Sequence, residues 1–139
     1  MYIDTSAFVK LYVGEPDSEA CEAMVLGNTL VSSRLLCCEF NSALLGKQLR
    51  GIISAEIRAE IWRKFEMDIA AHNIELIALN ELVIQEATEL MTELHSRVTL
   101  RTLDAIHLAT YLSVETGPIF TKDARMGLAA THLGLPLAG

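Results

Sequence analysis

Short apolar segments alternate with longer segments of helical periodicity along the whole chain, and this alternation constrains the fold more than any other feature. The segments expected to form strands are residues 1–4, 29–32, 74–78, 118–121 and 135–137. The segments expected to form helices are residues 5–12, 17–25, 34–49, 54–71, 81–95, 103–114 and 124–132. Strands separated by helices are joined by right-handed crossovers and pair in parallel. The pattern therefore predicts an α/β fold in which helices cover both faces of a mostly parallel sheet.

The length and composition are those of one globular domain. The chain has 139 residues, of which 51% are hydrophobic and 21% are charged, and it contains no internal repeat or Pro- or Ser-rich linker. These values exclude a disordered, collagen-like or coiled-coil chain and predict a single domain over residues 1–139. Asp4 lies where a secretory leader would need hydrophobic residues. The longest uncharged stretch, residues 126–139, is too short to span a bilayer. Since two of the three cysteines are adjacent, we expect a reduced, cytoplasmic protein without membrane association.

The negative charge is distributed unevenly. The net charge is −7, but residues 51–96 alone hold nine acidic and three basic residues, a balance of −6. The remainder has a balance of −1, which becomes +3 when the four acids discussed next are set aside. A surface outside residues 51–96 is therefore able to meet an anion. The basic residues that flank the acidic motifs, and that are candidates for phosphate contacts, are Lys10, Arg34, Arg97, Arg101, Lys122 and Arg125.

Four carboxylates occupy positions where a charge is unusual. Asp4 ends the first predicted strand, and Asp123 follows the 118–121 strand by two residues. Because ligands bind parallel sheets at the carboxyl ends of the strands, both acids are expected at the binding edge. Glu39 interrupts the apolar stripe of its helix, and Asp104 opens the 103–114 helix beside core-like residues. An ionised carboxylate at the edge of a core is costly unless it is paired, hydrogen-bonded or bound to a metal.

Each acid also has an ordinary structural explanation. Asp4 and Asp123 suit helix caps, Asp104 suits the first turn of a helix, and Glu39 suits a pair with an arginine. Brought together, however, like charges repel one another unless a cation neutralises them. An all-oxygen ligand set is typical of Mg²⁺ or Mn²⁺. We therefore interpret the four acids as ligands of a divalent ion that assists the hydrolysis of phosphodiester bonds.

The same residues lie in segments that resemble the motifs of PIN-domain nucleases. Asp4-Thr-Ser-Ala7 resembles the opening motif, and Ser33-Arg-Leu-Leu-Cys-Cys-Glu39 resembles the helix that bears the second acid. Residues 100–109, Leu-Arg-Thr-Leu-Asp-Ala-Ile-His-Leu-Ala, resemble the third motif, and Phe120-Thr-Lys-Asp123 resembles the fourth. The acids follow one another at spacings of 35, 65 and 19 residues, and the similarity covers nearly the whole chain. The small size suggests the VapC-type toxins of toxin–antitoxin pairs.

The resemblance implies a fold, an activity and partners. The fold is a three-layer α/β/α sandwich with a mostly parallel central sheet. The activity is that of an endoribonuclease that depends on Mg²⁺ or Mn²⁺ and acts as the toxin of a type II toxin–antitoxin system. The implied partners are an RNA substrate, a cognate antitoxin protein that blocks the cleft, and a second copy of the chain in a homodimer.

The resemblance also implies site residues. By motif matching, the catalytic metal ligands are Asp4, Glu39, Asp104 and Asp123. Thr5 or Ser6 and Thr121 supply hydroxyl groups near the metal or the phosphate in such sites. Arg101 is a candidate either to contact a phosphate or to pair with a site acid.

Other residues favour less specific roles. Most aromatic side chains fall within apolar segments, so an open platform that stacks RNA bases is not expected, and recognition by charge and shape favours a structured RNA. His107 is expected to be a packed or hydrogen-bonded residue of its helix. A non-catalytic PIN-like module that binds a protein remains an alternative, although such a module has no need of four mutually repelling acids.

Overall fold

The computed structural model describes residues 1–139 and contains a four-stranded sheet in which every pairing is parallel. The strands are β1 (Tyr2–Ile3), β2 (Leu30–Ser33), β3 (Ile74–Ile77) and β4 (Ile119–Phe120), and they lie side by side in the order β3-β2-β1-β4. The predicted α/β fold with a parallel sheet is confirmed.

Helices connect the strands and cover the sheet. They are α1 (Thr5–Phe8), α2 (Ser18–Val25), α3 (Leu36–Leu49), α4 (Ala55–Ala70), α5 (Glu81–Leu94), α6 (Thr102–Val114) and α7 (Ala124–His132). A 3₁₀ turn over Val9–Leu11 continues α1, so the single helix expected over residues 5–12 is tighter in its second half. None of the helices combines the length and the apolar character needed to cross a membrane.

The short strands separate two hydrophobic cores because successive side chains of a strand point to opposite faces. Tyr2 and Ile119 pack into a core with residues of α5, α6 and α7. Their neighbours Ile3 and Phe120 pack into a second core with residues of α1, α3 and α4. A helical layer on each side of one sheet gives the three-layer α/β/α sandwich that the family resemblance implied.

Several predicted element ends shift by one residue, and two predicted elements differ further from the structure. Helix α3 begins at Leu36 rather than at residue 34, because Ser33 is still paired with Ile77 of β3 and ends β2 instead of capping the helix. The terminal strand expected over residues 135–137 is reduced to a single bridge between Ile119 and Leu137.

The strand order creates a crevice at the carboxyl edge of the sheet. From β1 the chain moves outward through β2 to β3 and then returns to place β4 on the other side of β1. Ligands bind at such a reversal of strand order, outside the carboxyl ends of the strands. Asp4 follows β1 directly and residues 121–123 follow β4 directly, so both segments border the crevice.

Shortening a large side chain in the second core is expected to destabilise the protein strongly. Phe65 is 1% exposed, and its ring contacts those of Phe8 and Phe40 at centroid distances of 5.6 and 5.2 Å. Phe65→Ala should lower the free energy of unfolding by about 3–5 kcal/mol, measured by urea denaturation. Leu49→Ala, at a position that is 89% exposed, is the control and should change it by less than about 0.5 kcal/mol. Equal losses in the two variants would contradict this description of the core.

Candidate active site

All four acids singled out in the sequence line one pocket of about 430 Å³ at the carboxyl edge of the sheet. The residues that line it are Asp4, Thr5, Ser6, Glu39, Arg101, Thr102, Leu103, Asp104, His107 and Asp123. They come from the segments that follow β1 and β4, from the first turns of α1 and α3, and from the first two turns of α6 with the residue before it. Chain segments more than one hundred residues apart therefore meet in a single polar cavity.

Asp4 is the most buried of the acids, with 4% exposure, and both of its carboxylate oxygens are hydrogen-bonded. Its Oδ1 accepts from the backbone N–H of Ala7 at 3.1 Å, which caps α1, and Ser6 Oγ donates to it at 2.8 Å. Its Oδ2 accepts from Thr121 Oγ1 at 2.8 Å. Burial raises the pKa of Asp4, and these hydrogen bonds only partly offset that effect. Asp4 therefore both caps α1 and lines the pocket.

The hydroxyl groups expected near a metal or a phosphate are occupied in holding Asp4 and its surroundings. Ser6 Oγ accepts from the backbone N–H of Lys122 at 2.8 Å, and Thr121 Oγ1 accepts from the backbone N–H of Asp123 at 3.0 Å. Each hydroxyl therefore donates to Asp4 and accepts from the segment that follows β4. Together they fasten the ends of two adjacent strands to one carboxylate.

Glu39 projects from α3 and is bonded to His107 of α6. The distance between Glu39 Oε2 and His107 Nε2 is 2.7 Å, and Thr5 Oγ1 donates to the same oxygen. Burial raises the pKa of Glu39, but the hydrogen bond and charge of His107, with the Thr5 hydroxyl, outweigh it and lower the pKa overall. The partner of Glu39 is therefore a histidine rather than an arginine.

The position of His107 in the pocket was not predicted from the sequence. His107 is hydrogen-bonded and packed, as expected, but its partner is one of the site acids. The available signal was its spacing of three residues from Asp104, which places both side chains on one face of α6.

Asp104 and Asp123 line the same pocket and are close enough for the charge of one to act on the other. Asp104 Oδ2 is buried and has no hydrogen-bond partner. Burial, and after it the charge of Asp123, raises the pKa of Asp104, while the nearby Arg101 acts in the opposite direction. Asp123 Oδ1 caps α7, accepting from the backbone N–H groups of Arg125 and Met126 at 2.8 and 3.0 Å.

The donor set suits a hard divalent cation, although the side chains do not form a closed cage. No three His, Cys, Asp or Glu side chains are gathered closely enough to constitute a metal site by themselves. Mg²⁺, however, keeps several of its waters and needs only one or two carboxylates besides phosphate oxygens. A cation in the pocket would give Asp104 Oδ2 a partner, and it would lower the raised pKa values of Asp4 and Asp104. The residues present therefore fit such an ion.

Positive charge is available at one side of the pocket. Arg101 is exposed, lines the pocket and forms no salt bridge with the site acids. Lys10, another candidate for a phosphate contact, is instead bound to Glu15 and Asp17 at 2.6 and 2.7 Å. The guanidinium of Arg101 is thus free to meet an anion at the acidic cavity.

The sequence and the fold are similar to those of known proteins. Residues 1–131 match the family described as the PIN domain. The chain is 38% identical over 138 residues to Ribonuclease VapC46 of Mycobacterium tuberculosis (strain ATCC 25618 / H37Rv), an alignment that covers 97% of this chain and 93% of that protein. The fold is similar to a chain of a toxin-antitoxin complex from Klebsiella pneumoniae, with a TM-score of 0.59 and 18% identity, over 89% of this chain and 87% of that one.

Replacing Asp104 with asparagine is expected to stabilise the metal-free protein at neutral pH. A carboxylate whose pKa is raised by folding costs stability as the pH rises through the unfolded and then the folded pKa, and the cost persists above both. An amide side chain cannot ionise, so in EDTA at pH 7 the free energy of unfolding of Asp104→Asn should exceed that of the unsubstituted protein by about 1 kcal/mol.

The difference should shrink as the pH falls through the raised folded-state pKa and should vanish below the unfolded-state pKa of about 3.9, because the Asp104 carboxyl group is then protonated in both states. Urea unfolding at several pH values measures it, with the exposed Glu93→Gln as the matched control. An Asp104→Asn variant that is no more stable than the unsubstituted protein at pH 7 would show that the carboxylate is adequately solvated.

Proposed function

Because the chain belongs to the PIN-domain family of VapC-type ribonucleases, we propose that it is a metal-dependent endoribonuclease that hydrolyses RNA phosphodiester bonds as the toxin of a type II toxin–antitoxin system. The observation that carries this proposal is the pocket at the reversal of strand order, where Asp4, Glu39, Asp104 and Asp123 all lie. We propose further that residues 1–139 form a single nuclease domain.

The four acids are the proposed ligands of Mg²⁺ or Mn²⁺. When bound, the ion polarises the phosphate and neutralises the negative charge that develops during hydrolysis. Asp104 contributes the oxygen that lacks a protein partner, and Asp4 contributes a carboxylate whose position is fixed by the hydroxyls of Ser6 and Thr121. Asp123 has one oxygen in the cap of α7, which leaves the other for the ion.

Substrate binding is proposed to depend on charge and shape. Arg101 is the exposed cation beside the acidic cavity, and it is placed to bind a phosphate of the RNA backbone. Phe8 and Phe40 are buried in the core and the half-buried Tyr12 packs against both, so these rings do not form an open platform for bases. Recognition without a stacking platform favours a structured RNA over a flexible single strand.

The proposed partners follow from the similar proteins. The similar solved structure is a toxin–antitoxin complex, and on this basis we propose a cognate antitoxin protein that covers the acidic pocket. A homodimer and a cytoplasmic location are proposed from the family resemblance. Antitoxin side chains with positive charge would suit a pocket that holds four carboxylates.

Loss of a site acid should abolish RNA cleavage without unfolding the protein. Even outer-shell partners of a bound metal typically contribute 10–100-fold, so Asp4→Asn and Asp104→Asn should each reduce the rate by more than about 100-fold. The assay is cleavage of total RNA by protein freed of any antitoxin in Mn²⁺ or Mg²⁺, with sequencing of the ends. EDTA should stop the reaction, and Glu93→Gln should cleave at the normal rate.

Two results would contradict the proposal. Equal cleavage by the Asp4→Asn, Asp104→Asn double variant would indicate a contaminating nuclease or another site. Folded protein that binds an antitoxin but cleaves no RNA in either metal would instead indicate a non-catalytic PIN-like binding module.

A further inference from the structure

A chain of hydrogen bonds runs from the core of the protein to the candidate active site and is not used by the proposed reaction. Tyr2 OH lies 2.9 Å from His107 Nδ1, and His107 Nε2 lies 2.7 Å from Glu39 Oε2. Tyr2 is 0% exposed and His107 is 3% exposed, so the bond between them is shielded from water. The chain joins β1, α6 and α3 at the edge of the sheet.

The carboxylate of Glu39 fixes the direction of its hydrogen bond with His107. An ionised carboxylate only accepts, so the hydrogen between His107 and Glu39 is carried by Nε2. Burial raises the pKa of Tyr2, so its phenol keeps its proton and is able to donate to Nδ1 when that nitrogen carries no hydrogen. A second hydrogen bond of this kind selects the tautomer and the orientation of an imidazole.

The consequence for Glu39 is that its two oxygens differ. Oε2 accepts from His107 and from Thr5, whereas Oε1 makes no hydrogen bond with the protein. The side chain retains 19% exposure in a pocket that also contains the unpartnered Asp104 Oδ2. With Oε2 held from two directions, Glu39 has little freedom to swing out of the pocket, and Oε1 remains available to a ligand.

We propose that His107 is a positioning residue, which holds one oxygen of Glu39 so that the other is available to the divalent ion. This inference rests on the proposed function, because it assigns Glu39 a ligand that the proposed reaction requires. His107 itself contacts neither the ion nor the RNA. Its role is to reduce the conformational freedom that Glu39 would lose when the ion binds.

Two amide substitutions separate this role from simple packing. The amide nitrogen of glutamine occupies nearly the place of imidazole Nε2, whereas that of asparagine occupies nearly the place of Nδ1. His107→Gln therefore keeps a donor for Glu39, and His107→Asn does not, while both lose the edge-to-face contact with Tyr2, now at 6.0 Å between ring centroids. A role in packing alone would make both variants less stable without distinguishing between them.

The experiment measures Mn²⁺ affinity from the rise in melting temperature of metal-free protein as Mn²⁺ is added. His107→Asn should weaken the affinity by about 10–100-fold, the usual effect of losing an outer-shell partner, and His107→Gln should stay within about threefold of the unsubstituted protein. In the RNA cleavage assay, excess Mn²⁺ should restore much of the activity of His107→Asn. Tyr2→Phe keeps the imidazole and should weaken Mn²⁺ binding in the same direction, which provides a test if the amide variants do not fold.

The outcomes distinguish this inference from the proposed function. If the unsubstituted protein shows no response to Mn²⁺ and no cleavage, both are wrong. If it binds Mn²⁺ and cleaves RNA but His107→Asn binds Mn²⁺ with unchanged affinity, only the role of His107 is wrong. Equal loss of affinity in His107→Gln and His107→Asn would likewise overturn the positioning role, because the retained donor would then have no effect. Unchanged affinity in folded Tyr2→Phe would overturn the relay from Tyr2.

Discussion

Ionised carboxylates are costly when they are partly removed from water and placed near one another, and this cost is the constraint on which the rest of the site depends. The parallel sheet creates it by ending β1 and β4 at the same edge, which brings Asp4 and Asp123 into the pocket that Glu39 and Asp104 also line. Burial raises the pKa of Asp4 and of Asp104, so the fold bears a cost to keep them there. A bound cation would stabilise the ionised carboxylates, and this stabilisation would contribute to the affinity of the pocket for the ion.

The four acids are held in different ways, and the difference indicates a division of roles. Both oxygens of Asp4 accept hydrogen bonds from the protein, so Asp4 is firmly positioned and connects the ends of β1 and β4. Glu39 and Asp123 each have one oxygen engaged by the protein, in the bond to His107 and in the cap of α7 respectively. Asp104 Oδ2 has no partner at all. A site of this kind is rigid in its framework and open at the atoms that would meet an ion.

Much of this arrangement could be predicted from local patterns. The alternation of apolar and helical segments predicts the parallel sheet, and the position of Asp4 and Asp123 after strands places both at its carboxyl edge. The pairing of Glu39 with His107 could not be predicted, because it joins residues 68 apart through the packing of α3 and α6 rather than through any local pattern. The engagement of Lys10 by Glu15 and Asp17 and the continuation of β2 through Ser33 likewise depend on tertiary contacts.

Anomalous diffraction from crystals soaked in Mn²⁺ tests most directly whether the acidic pocket binds a divalent cation. We expect an anomalous peak in the pocket, with Asp104 Oδ2 among the ligands of the ion. No peak in the pocket at millimolar Mn²⁺, with Asp104 Oδ2 instead bonded to a protein group or water, would contradict the proposed metal site.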